Sequence, residues 1–476
     1  MVFNSYEFVL EFLPVACVVY FLLARSPRWG TWWLVVASLF FYAYHRSGGL
    51  WLLIASVLFN YGISLLLHRA DRRKRYLVAG VLVNLLLLSL FKYRPILANL
   101  AAPNQPWFSL LSQAAFPLGI SFFTFSQISY LVDTYRGQDR PAGLRNYALF
   151  VTFFPHLLSG PILRHRDMIP QFDSLLRRRP LPRYLARGAA LIVIGLVKKV
   201  WIADPLAPLV ARAFDSTGPL DPGVAWLGTL AYTFQLYNDF SGYADIAVGV
   251  AFLFNIRIPE NFRAPYRSTS IQEFWRRWHI SLSNWLRDYV YFALPGVRSK
   301  WKFVPYLNAV ITMAVCGLWH GAGWTFLVWG LLHGFAVAAC AFWRRLRWRM
   351  PNVLGWALTF TFVMLSWVVF RASDLAASVR VFRSLFSAVP WTPLMAWWRA
   401  SGLALVQRPL SDWSLDTDFG RLVLLVAVLL VAVPSYSFLL VRRMKPSPWT
   451  ACLGAVLLTA CVLRFSSVTH FLYYFF

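Results

Sequence analysis

Charged residues are scarce in this sequence of 476 residues: they make up 14% of the chain, whereas an average soluble protein has about 25%. Acidic residues are the scarcest, with 19 Asp and Glu against 46 Lys and Arg, while hydrophobic residues reach 59%. This composition excludes an ordinary soluble domain and predicts a polytopic membrane protein. No nucleic-acid partner is expected, because the Lys and Arg residues fall in short clusters between apolar runs, as they do in cytoplasmic loops.

Motifs for metal binding, nucleotide binding and serine hydrolysis are also missing. The five cysteines all lie in apolar segments, without a CxxC pair or a Cys/His spacing suited to zinc. There is no Walker phosphate loop, no HExxH, and no GxSxG elbow with Asp and His partners in the expected order. We therefore expect no metal site and no bound cofactor. The remaining candidates for chemistry are histidines in polar breaks of the membrane region.

The apolar runs predict an all-α membrane protein with about 12 transmembrane helices, and residues 1–476 are expected to form a single membrane-embedded domain. Basic runs at 68–75 and 344–349 mark cytoplasmic loops, which places both termini outside. Residues 148–163 are predicted to be re-entrant, and residues 373–420 to be extracytoplasmic. The predicted spans are 8–24, 31–44, 50–67, 76–91, 114–135, 188–203, 224–254, 303–319, 322–343, 353–370, 421–440 and 449–462.

One stretch places two histidines at membrane depth. It reads WHGAGWTFLVWGLLHG, residues 319–334, and it includes Trp319, His320 and His333. An imidazole that loses its hydration needs a hydrogen-bond partner or a polar cavity, so each histidine is a candidate functional residue. The alternative is a cavity-lining structural role for His320 and a helix-packing hydrogen bond for His333.

Carboxylates also occur within a predicted span. QLYNDFSGYAD, residues 235–245, contains Asp239, Ser241 and Asp245. Because an ionised carboxylate is costly in hydrocarbon, this pattern predicts either a broken helix that lines a polar substrate path, or ion pairs with nearby arginines.

EFWRRWHISLSNWLRDYVY, residues 273–291, is predicted to be an amphipathic helix at the cytoplasmic interface. Its apolar face, which includes Trp275, would lie at the acyl boundary, while Arg276 and Arg277 would bind lipid phosphates or, alternatively, the phosphates of an acyl donor. His279 lies on the flank of the apolar face, where it would point toward the protein; the alternative is that it simply reaches toward the headgroups.

Acyl transfer from a thioester to an alcohol fits this set of residues. A histidine with a pKa near ~6.5 can take a proton from a hydroxyl and return it to a leaving group. The donor is already activated, so the enzyme mainly supplies a base and correct positioning.

Several motifs give the chain a family resemblance. PENFRAPYRSTSIQEFWRRWHISLSNWLRDYVY, residues 259–291, and CGLWHGAGWTFLVWGLLHG, residues 316–334, resemble the membrane-bound O-acyltransferase family. The resemblance is to the bacterial branch that O-acetylates exported polysaccharides such as alginate and cellulose. QLYNDFSGYADIA, PLGISFFTF and FPHLLSGPILRHRDM are similar to further motifs of that branch.

The resemblance implies roles for particular residues and partners. The family's catalytic histidine falls on His320 and its second functional histidine on His279. It implies a ring of helices with a funnel on each face, in the bacterial cytoplasmic (inner) membrane. It also implies an acyl donor such as acetyl-CoA or another thioester, an exported polysaccharide as acceptor, a periplasmic acyltransferase partner, and the export machinery.

Three alternatives stay open at this point. Within the family, D-alanyl or other acyl transfer to a cell-envelope polymer is possible. A membrane transporter or flippase would also use broken helices, but it would show internal repeats, and the motifs of the first half do not recur in the second. A scaffold that recruits the export machinery would not need His320.

Overall fold

The structure is a computed structural model that describes residues 1–44, 47–69, 72–94, 117–137, 142–174, 179–295, 303–387, 422–428, 436–467 and 471–472. These residues contain helices and no β-strand. The α-helices are α1 (Leu13–Leu23), α2 (Pro27–Ala43), α3 (Leu50–Arg69), α4 (Arg73–Lys92), α5 (Ile120–Tyr135), α6 (Leu144–Thr152), α7 (Phe154–Leu157), α8 (His165–Phe172), α9 (Pro182–Val197), α10 (Asp204–Phe214), α11 (Pro222–Leu253), α12 (Ile271–Arg277), α13 (Ile280–Tyr289), α14 (Val304–His320), α15 (Trp324–Arg345), α16 (Asn352–Arg371), α17 (Leu375–Leu385), α18 (Ser437–Arg443) and α19 (Pro448–Val462).

Four of the described helices are long and apolar enough to cross a membrane: α3, α4, α15 and α16. At 1.5 Å per residue a helix of about 20 residues reaches ~30 Å, the thickness of the hydrocarbon core. α14 and α19 are shorter apolar helices. The prediction of an all-α, multi-pass membrane protein is therefore confirmed, whereas the count of about 12 spans and the ring with two funnels stay predictions.

α11 is a central buried helix of 32 residues. The Asp221 side chain caps its start by accepting hydrogen bonds from two backbone N–H groups. α9 lies so close to it that a Cβ on Gly195 would come within 2.5 Å of the carbonyl oxygen of Gly242. Small residues allow such close packing of helices in a membrane. The prediction of a broken helix at 235–245 was wrong, because α11 runs through that stretch without interruption.

Two segments between the predicted spans contain short helices. α6 has 9 residues and overlaps the start of the predicted re-entrant segment at 148–152, and α7 has 4 residues and lies within that segment. Both helices are too short to cross a membrane, and the re-entrant path stays a prediction. Residues 204–214, which lie between the predicted spans 188–203 and 224–254, form α10, and α10 follows α9 through the wider helical turn Lys198–Ala203.

The predicted interfacial helix at 273–291 is wrong in two respects. α12 ends at Arg277 and α13 begins at Ile280, so the segment is two helices that meet at His279. Its apolar side chains pack against the protein instead of lipid: Trp275, Trp278 and Trp285 are all at most 8% exposed. A helical wheel shows which residues share a face, but it does not show what that face contacts.

α14 and α15 form a tight antiparallel hairpin around the second motif. A Cβ on Gly317 would come within 2.2 Å of the carbonyl oxygen of Phe326, and one on Gly330 within 2.4 Å of that of Met313. The glycines thus let the two backbones approach each other. This approach fixes His320, the last residue of α14, against the start of α15.

Only part of the predicted extracytoplasmic segment 373–420 is described. Its beginning forms α17, capped by the side chain of Asp374, which accepts a hydrogen bond from the backbone N–H of Ala377. Residues 388–421, with the acidic positions 412, 416 and 418, lie outside the described residues. The predicted span 421–440 is also described only in part.

Candidate active site

His320 lies within a wall of aromatic rings. Its ring centre is 4.6 Å from that of Trp319, 5.2 Å from Trp329 and 5.1 Å from Phe370. These three neighbours come from α14, α15 and α16, and His320 itself is only 3% exposed. Because the surroundings are apolar, hydrogen bonds and charge interactions at this imidazole are stronger than they would be in water.

His279 occupies the corner between α12 and α13. Its backbone φ is 42°, in the left-handed region that non-glycine residues seldom adopt. Strain of this kind concentrates at functional sites. The ring is 4.8 Å from the ring of Phe240, and only 1% of the residue is exposed. The interruption between the two helices therefore directs this imidazole inward.

Hydrogen bonds to Asn261 fix the tautomer of His279. Nδ1 of His279 lies 3.3 Å from Oδ1 of Asn261, and this oxygen also accepts hydrogen bonds from the backbone N–H and the hydroxyl of Ser281, at 3.1 and 2.9 Å. Since a backbone N–H can only donate, the shared atom must be the amide oxygen, and the neutral imidazole carries its proton on Nδ1. Nε2 therefore presents a lone pair, and it has no hydrogen-bond partner among the described residues.

Trp319 links the two histidines. Its ring centre is 6.3 Å from that of His279 and 4.6 Å from that of His320. Its indole N–H is buried and finds no acceptor within the described part of the chain. Three residues predicted from two separate motifs thus come together. A basic nitrogen, a second imidazole and an indole donor in a water-poor site can accept a hydroxyl proton and bind an acyl carbonyl.

His333 is hydrogen-bonded at both ring nitrogens. Nδ1 accepts a bond from the indole N–H of Trp275 at 3.3 Å, so Nε2 carries the proton and donates to the hydroxyl of Ser366 at 2.9 Å. That hydroxyl donates in turn to the carbonyl oxygen of Val363. The network joins α12, α15 and α16, and the His333 ring lies 4.8 Å from Trp329. With both nitrogens occupied, the geometry fits a residue that holds the aromatic wall in place.

The carboxylates of α11 form ion pairs with two lysines. Asp239 pairs with Lys199 at 2.7 Å, and its second oxygen accepts a hydrogen bond from the backbone N–H of Leu472 at 2.8 Å. Lys199 also pairs with Asp204 at 2.9 Å. The expected arginine partners were therefore wrong: the partner is a lysine, and the pair anchors a C-terminal segment of the chain.

Ser241 and Asp245 form a second cluster of the same kind. Lys198 donates to the Asp245 carboxylate at 2.7 Å, to Ser241 at 3.1 Å and to Ser437 at 2.7 Å. Ser437 also donates to Asp245 at 2.6 Å, which ties α18 to α11. Asp239, Ser241 and Asp245 thus each have a lysine partner, and a place for them on the substrate path stays a prediction.

An arginine-rimmed cavity lies on the other side of Trp275. It has a volume of about 380 Å³; Arg276, Arg287 and Arg344 line it, and Trp275 and Met313 are among its walls. The ring centre of Trp275 is 5.9 Å from that of Trp329, and the Trp329 ring in turn contacts His320. These two rings therefore lie between the cavity and His320. We call it the arginine cavity.

The charges at the rim of the arginine cavity are only partly neutralised. Arg287 donates to Asp288 at 2.7 Å, and Arg164 also pairs with Asp288. Although burial alone would raise the pKa of Asp288, its bonds to Arg287 and Arg164 hold that pKa below the usual range. Arg276 and Arg344 form no ion pair with a described carboxylate. The rim therefore keeps a positive charge that suits an anionic ligand.

Arg277 differs from its neighbour Arg276. It forms an ion pair with Glu273 at 2.5 Å, one helical turn earlier, and does not line the arginine cavity. From the sequence, both arginines were predicted to bind phosphates. In the structure Arg276 lines the arginine cavity and Arg277 does not.

Two contributions were missed from the sequence although a signal was present. Asn261 lies in the PENFRAP motif, residues 259–265, two residues after a proline, and no role had been predicted for its polar side chain. Lys198 and Lys199 lie within a predicted span, and an intramembrane lysine requires an anionic partner.

Among the described residues, no group of three or more His, Cys, Asp or Glu side chains could hold a metal ion.

Comparisons with known proteins add an independent finding. The model of the membrane-bound O-acyltransferase family matches residues 37–373. The chain is 40% identical over 421 residues to the peptidoglycan O-acetyltransferase of Helicobacter pylori, with 81% of this chain and 80% of that protein covered. It is 43% identical over 413 residues to the probable alginate O-acetylase of Azotobacter vinelandii, with 82% and 79% covered. It is 29% identical over 325 residues to the teichoic acid D-alanyltransferase of Bacillus subtilis, with 64% and 80% covered.

Proposed function

The chain belongs to the membrane-bound O-acyltransferase family, and on that premise we propose that it O-acetylates an exported cell-envelope polysaccharide from a cytoplasmic thioester donor. The family and its relatives make it an O-acetyltransferase of the membrane. The proposal adds the donor, the acceptor, and the route between them across the bacterial inner membrane, with both termini outside.

The comparisons favour acetyl over D-alanyl transfer. Identity to the O-acetylating relatives is 40% and 43% over more than four-fifths of this chain. Identity to the D-alanyltransferase is 29%, over 64% of this chain. A transporter or flippase has no support, since the relatives named here are all acyltransferases. D-alanyl transfer stays an outcome of the experiment below.

The observation that carries the proposal is the meeting of His279 and His320 at Trp319. His320 would take the proton of the attacking hydroxyl, which belongs either to the polysaccharide or to a serine of a periplasmic partner acyltransferase. His279, held in place by its hydrogen bond with Asn261, would orient the acyl donor or the intermediate beside it. When the intermediate collapses, the proton on His320 would pass to the departing thiolate.

The arginine cavity supports a donor with anionic groups. Arg276 and Arg344 would bind phosphates of acetyl-CoA or of another phosphate-bearing thioester, and the acyl end would extend toward Trp275. In this structure Trp275 and Trp329 separate the arginine cavity from His320, so transfer requires these two rings to move apart. Partners on the far side would be the polysaccharide, its export machinery and a periplasmic acyltransferase; membrane lipid surrounds the chain.

The test replaces His320 in the host cell. Strains that carry the wild-type chain, His320→Ala, or the exposed-site control His68→Ala are compared for the O-acetyl and D-alanyl content of their exported polysaccharides. We expect His320→Ala to abolish O-acetylation at unchanged membrane abundance, and His68→Ala to retain it. Retained O-acetylation in His320→Ala would overturn the assignment, and loss of D-alanyl esters instead would establish the alternative substrate.

A further inference from the structure

Lys92 brings a positive charge to the histidine site. It is the last residue of α4, and its ammonium nitrogen lies 5.2 Å from the centre of the Trp319 ring. The side chain is half-buried, and no carboxylate of the described residues lies within ion-pair distance of it. An ammonium group in apolar surroundings without an anionic partner is costly, and the face of an indole offsets only part of that cost.

A hydrogen bond holds this end of α4 beside the end of α14. The hydroxyl of Tyr93 donates to the carbonyl oxygen of Leu318 at 2.8 Å. Leu318 directly precedes Trp319 and His320, so Lys92 is positioned alongside both. Its ammonium group lies against the Trp319 ring, and that ring is in turn 4.6 Å from the ring of His320. The indole N–H of Trp319, which is buried and has no acceptor among the described residues, provides a second donor at the same place.

A positive group and a hydrogen-bond donor next to a candidate base are suited to a ligand that becomes negatively charged during the reaction. A carbonyl carbon attacked by a hydroxyl passes through a tetrahedral intermediate whose oxygen carries a full negative charge. Donors and cations fixed at that position are often the largest single source of rate enhancement. The apolar wall around the site strengthens each such interaction.

We propose that Lys92 stabilises the oxyanion that forms on the acyl carbonyl during transfer. The proposal rests on the proposed function. In the first step the hydroxyl oxygen bonds to the carbonyl carbon, His320 takes the hydroxyl proton, and the carbonyl π electrons move to the oxygen beside Lys92. In the second step those electrons re-form the carbonyl, the carbon–sulfur bond breaks, and the thiolate takes the proton from His320.

A purely structural role would use the same contacts differently. A lysine at the end of a helix interacts favourably with the helix dipole, and its stacking on Trp319 could simply join α4 to α14. In that case the loss of Lys92 would lower stability. It would not specifically slow the chemical step, and other contacts between the two helices would matter equally. These differences define the experiment.

The experiment measures acetyl transfer from radiolabelled acetyl-CoA to the host polysaccharide in membranes that contain the full chain. Lys92→Met removes the charge at similar length, Lys92→Arg keeps it, and Tyr93→Phe removes the neighbouring hydrogen bond without changing charge. We expect Lys92→Met to lower kcat by roughly 100-fold with the KM for acetyl-CoA nearly unchanged, the size of loss seen when an oxyanion donor is removed. Lys92→Arg should stay within roughly 10-fold of wild type, and Tyr93→Phe, which keeps the charge but loses the hydrogen bond that positions it, should be slowed less than Lys92→Met.

Each other outcome overturns the proposal. These outcomes are a near-normal kcat in Lys92→Met, an Arg variant as slow as the Met variant, or a Tyr93→Phe variant as slow as the Met variant. Lys92→Gln is a second charge-free variant; if neither it nor Lys92→Met folds while Lys92→Arg does, the role is structural. A wild-type rate that does not depend on His320 overturns the proposed function itself, whereas a His320-dependent rate that ignores the charge at position 92 overturns only this proposal.

Discussion

Replacing Asp239 by asparagine should destabilise the protein without directly slowing its chemistry. The carboxylate pairs with Lys199 at 2.7 Å, and both side chains are 1% exposed. Its second oxygen accepts a hydrogen bond from the backbone N–H of Leu472. The change keeps the shape of the side chain but removes its charge, and so leaves the Lys199 ammonium with Asp204 as its remaining carboxylate partner among the described residues.

The magnitude follows from the burial of the pair. Removing one partner of a buried ion pair costs about 3–5 kcal/mol, because the remaining charge stays in a poor solvent. We expect the lower end, about 3 kcal/mol, since Asp204 still compensates Lys199 and asparagine can still accept the bond from Leu472. That corresponds to a shift of roughly 100-fold in the unfolding equilibrium.

The assay compares heat-induced unfolding and specific activity of the purified protein in detergent. Asp215→Asn is the matched control, because Asp215 pairs with Arg371 at 2.9 Å but is 54% exposed. Exposed pairs contribute at most about 1 kcal/mol, so this variant should unfold nearly as the wild type does. An Asp239→Asn protein that is as heat-stable as wild type but inactive would refute the reasoning, and would return Asp239 to the acceptor path.

Three further predictions concern other parts of the molecule. Arg276→Gln should raise the KM for acetyl-CoA by roughly 10-fold while kcat changes little. Arg277→Gln is the control and should leave the KM unchanged, because Arg277 is already paired with Glu273. Equal effects of the two substitutions would exclude the arginine cavity as the donor site. Asn261→Leu should lower kcat by roughly 100-fold because the tautomer of His279 is no longer fixed, whereas Asn261→Asp keeps an acceptor and should be much less affected; equal loss in both would contradict this. Gly119→Ala should destabilise the protein by at least about 1–2 kcal/mol in thermal unfolding, since φ is +66° and the new Cβ would meet the carbonyl oxygen of residue 157 at 2.4 Å; unchanged stability would show that the backbone relaxes there.

The sequence was sufficient for the class of the protein and for the residues that meet at the site. Low charge and long apolar runs predict membrane helices because hydrocarbon excludes charge. His320 stood out because a buried imidazole needs a partner, and His279 because its motif resembles that of the family. The structure brings both histidines together at Trp319.

The partners of those residues were harder to predict. A helical period continues through residues 273–291, yet the helix is interrupted at His279. Hydrogen bonds donated to Asn261, together with tight packing, offset the unfavourable backbone conformation there. Likewise, the cost of a buried carboxylate at Asp239 predicts some cation nearby. Which cation it is depends on the packing of α9 against α11, and periodicity does not encode that packing.

We propose that an acyl group reaches an acceptor on the far side of the membrane through the site at His320. Inside-out membrane vesicles from the host, with their complete export machinery, test it when radiolabelled acetyl-CoA is added to the outer medium, which faces their cytoplasmic surface. We expect O-acetyl label to accumulate in the vesicle lumen, to be protected from added esterase until detergent opens the vesicles, and to be lost in His320→Ala. Label that forms equally in His320→Ala, or that is accessible to esterase from the start, would contradict it.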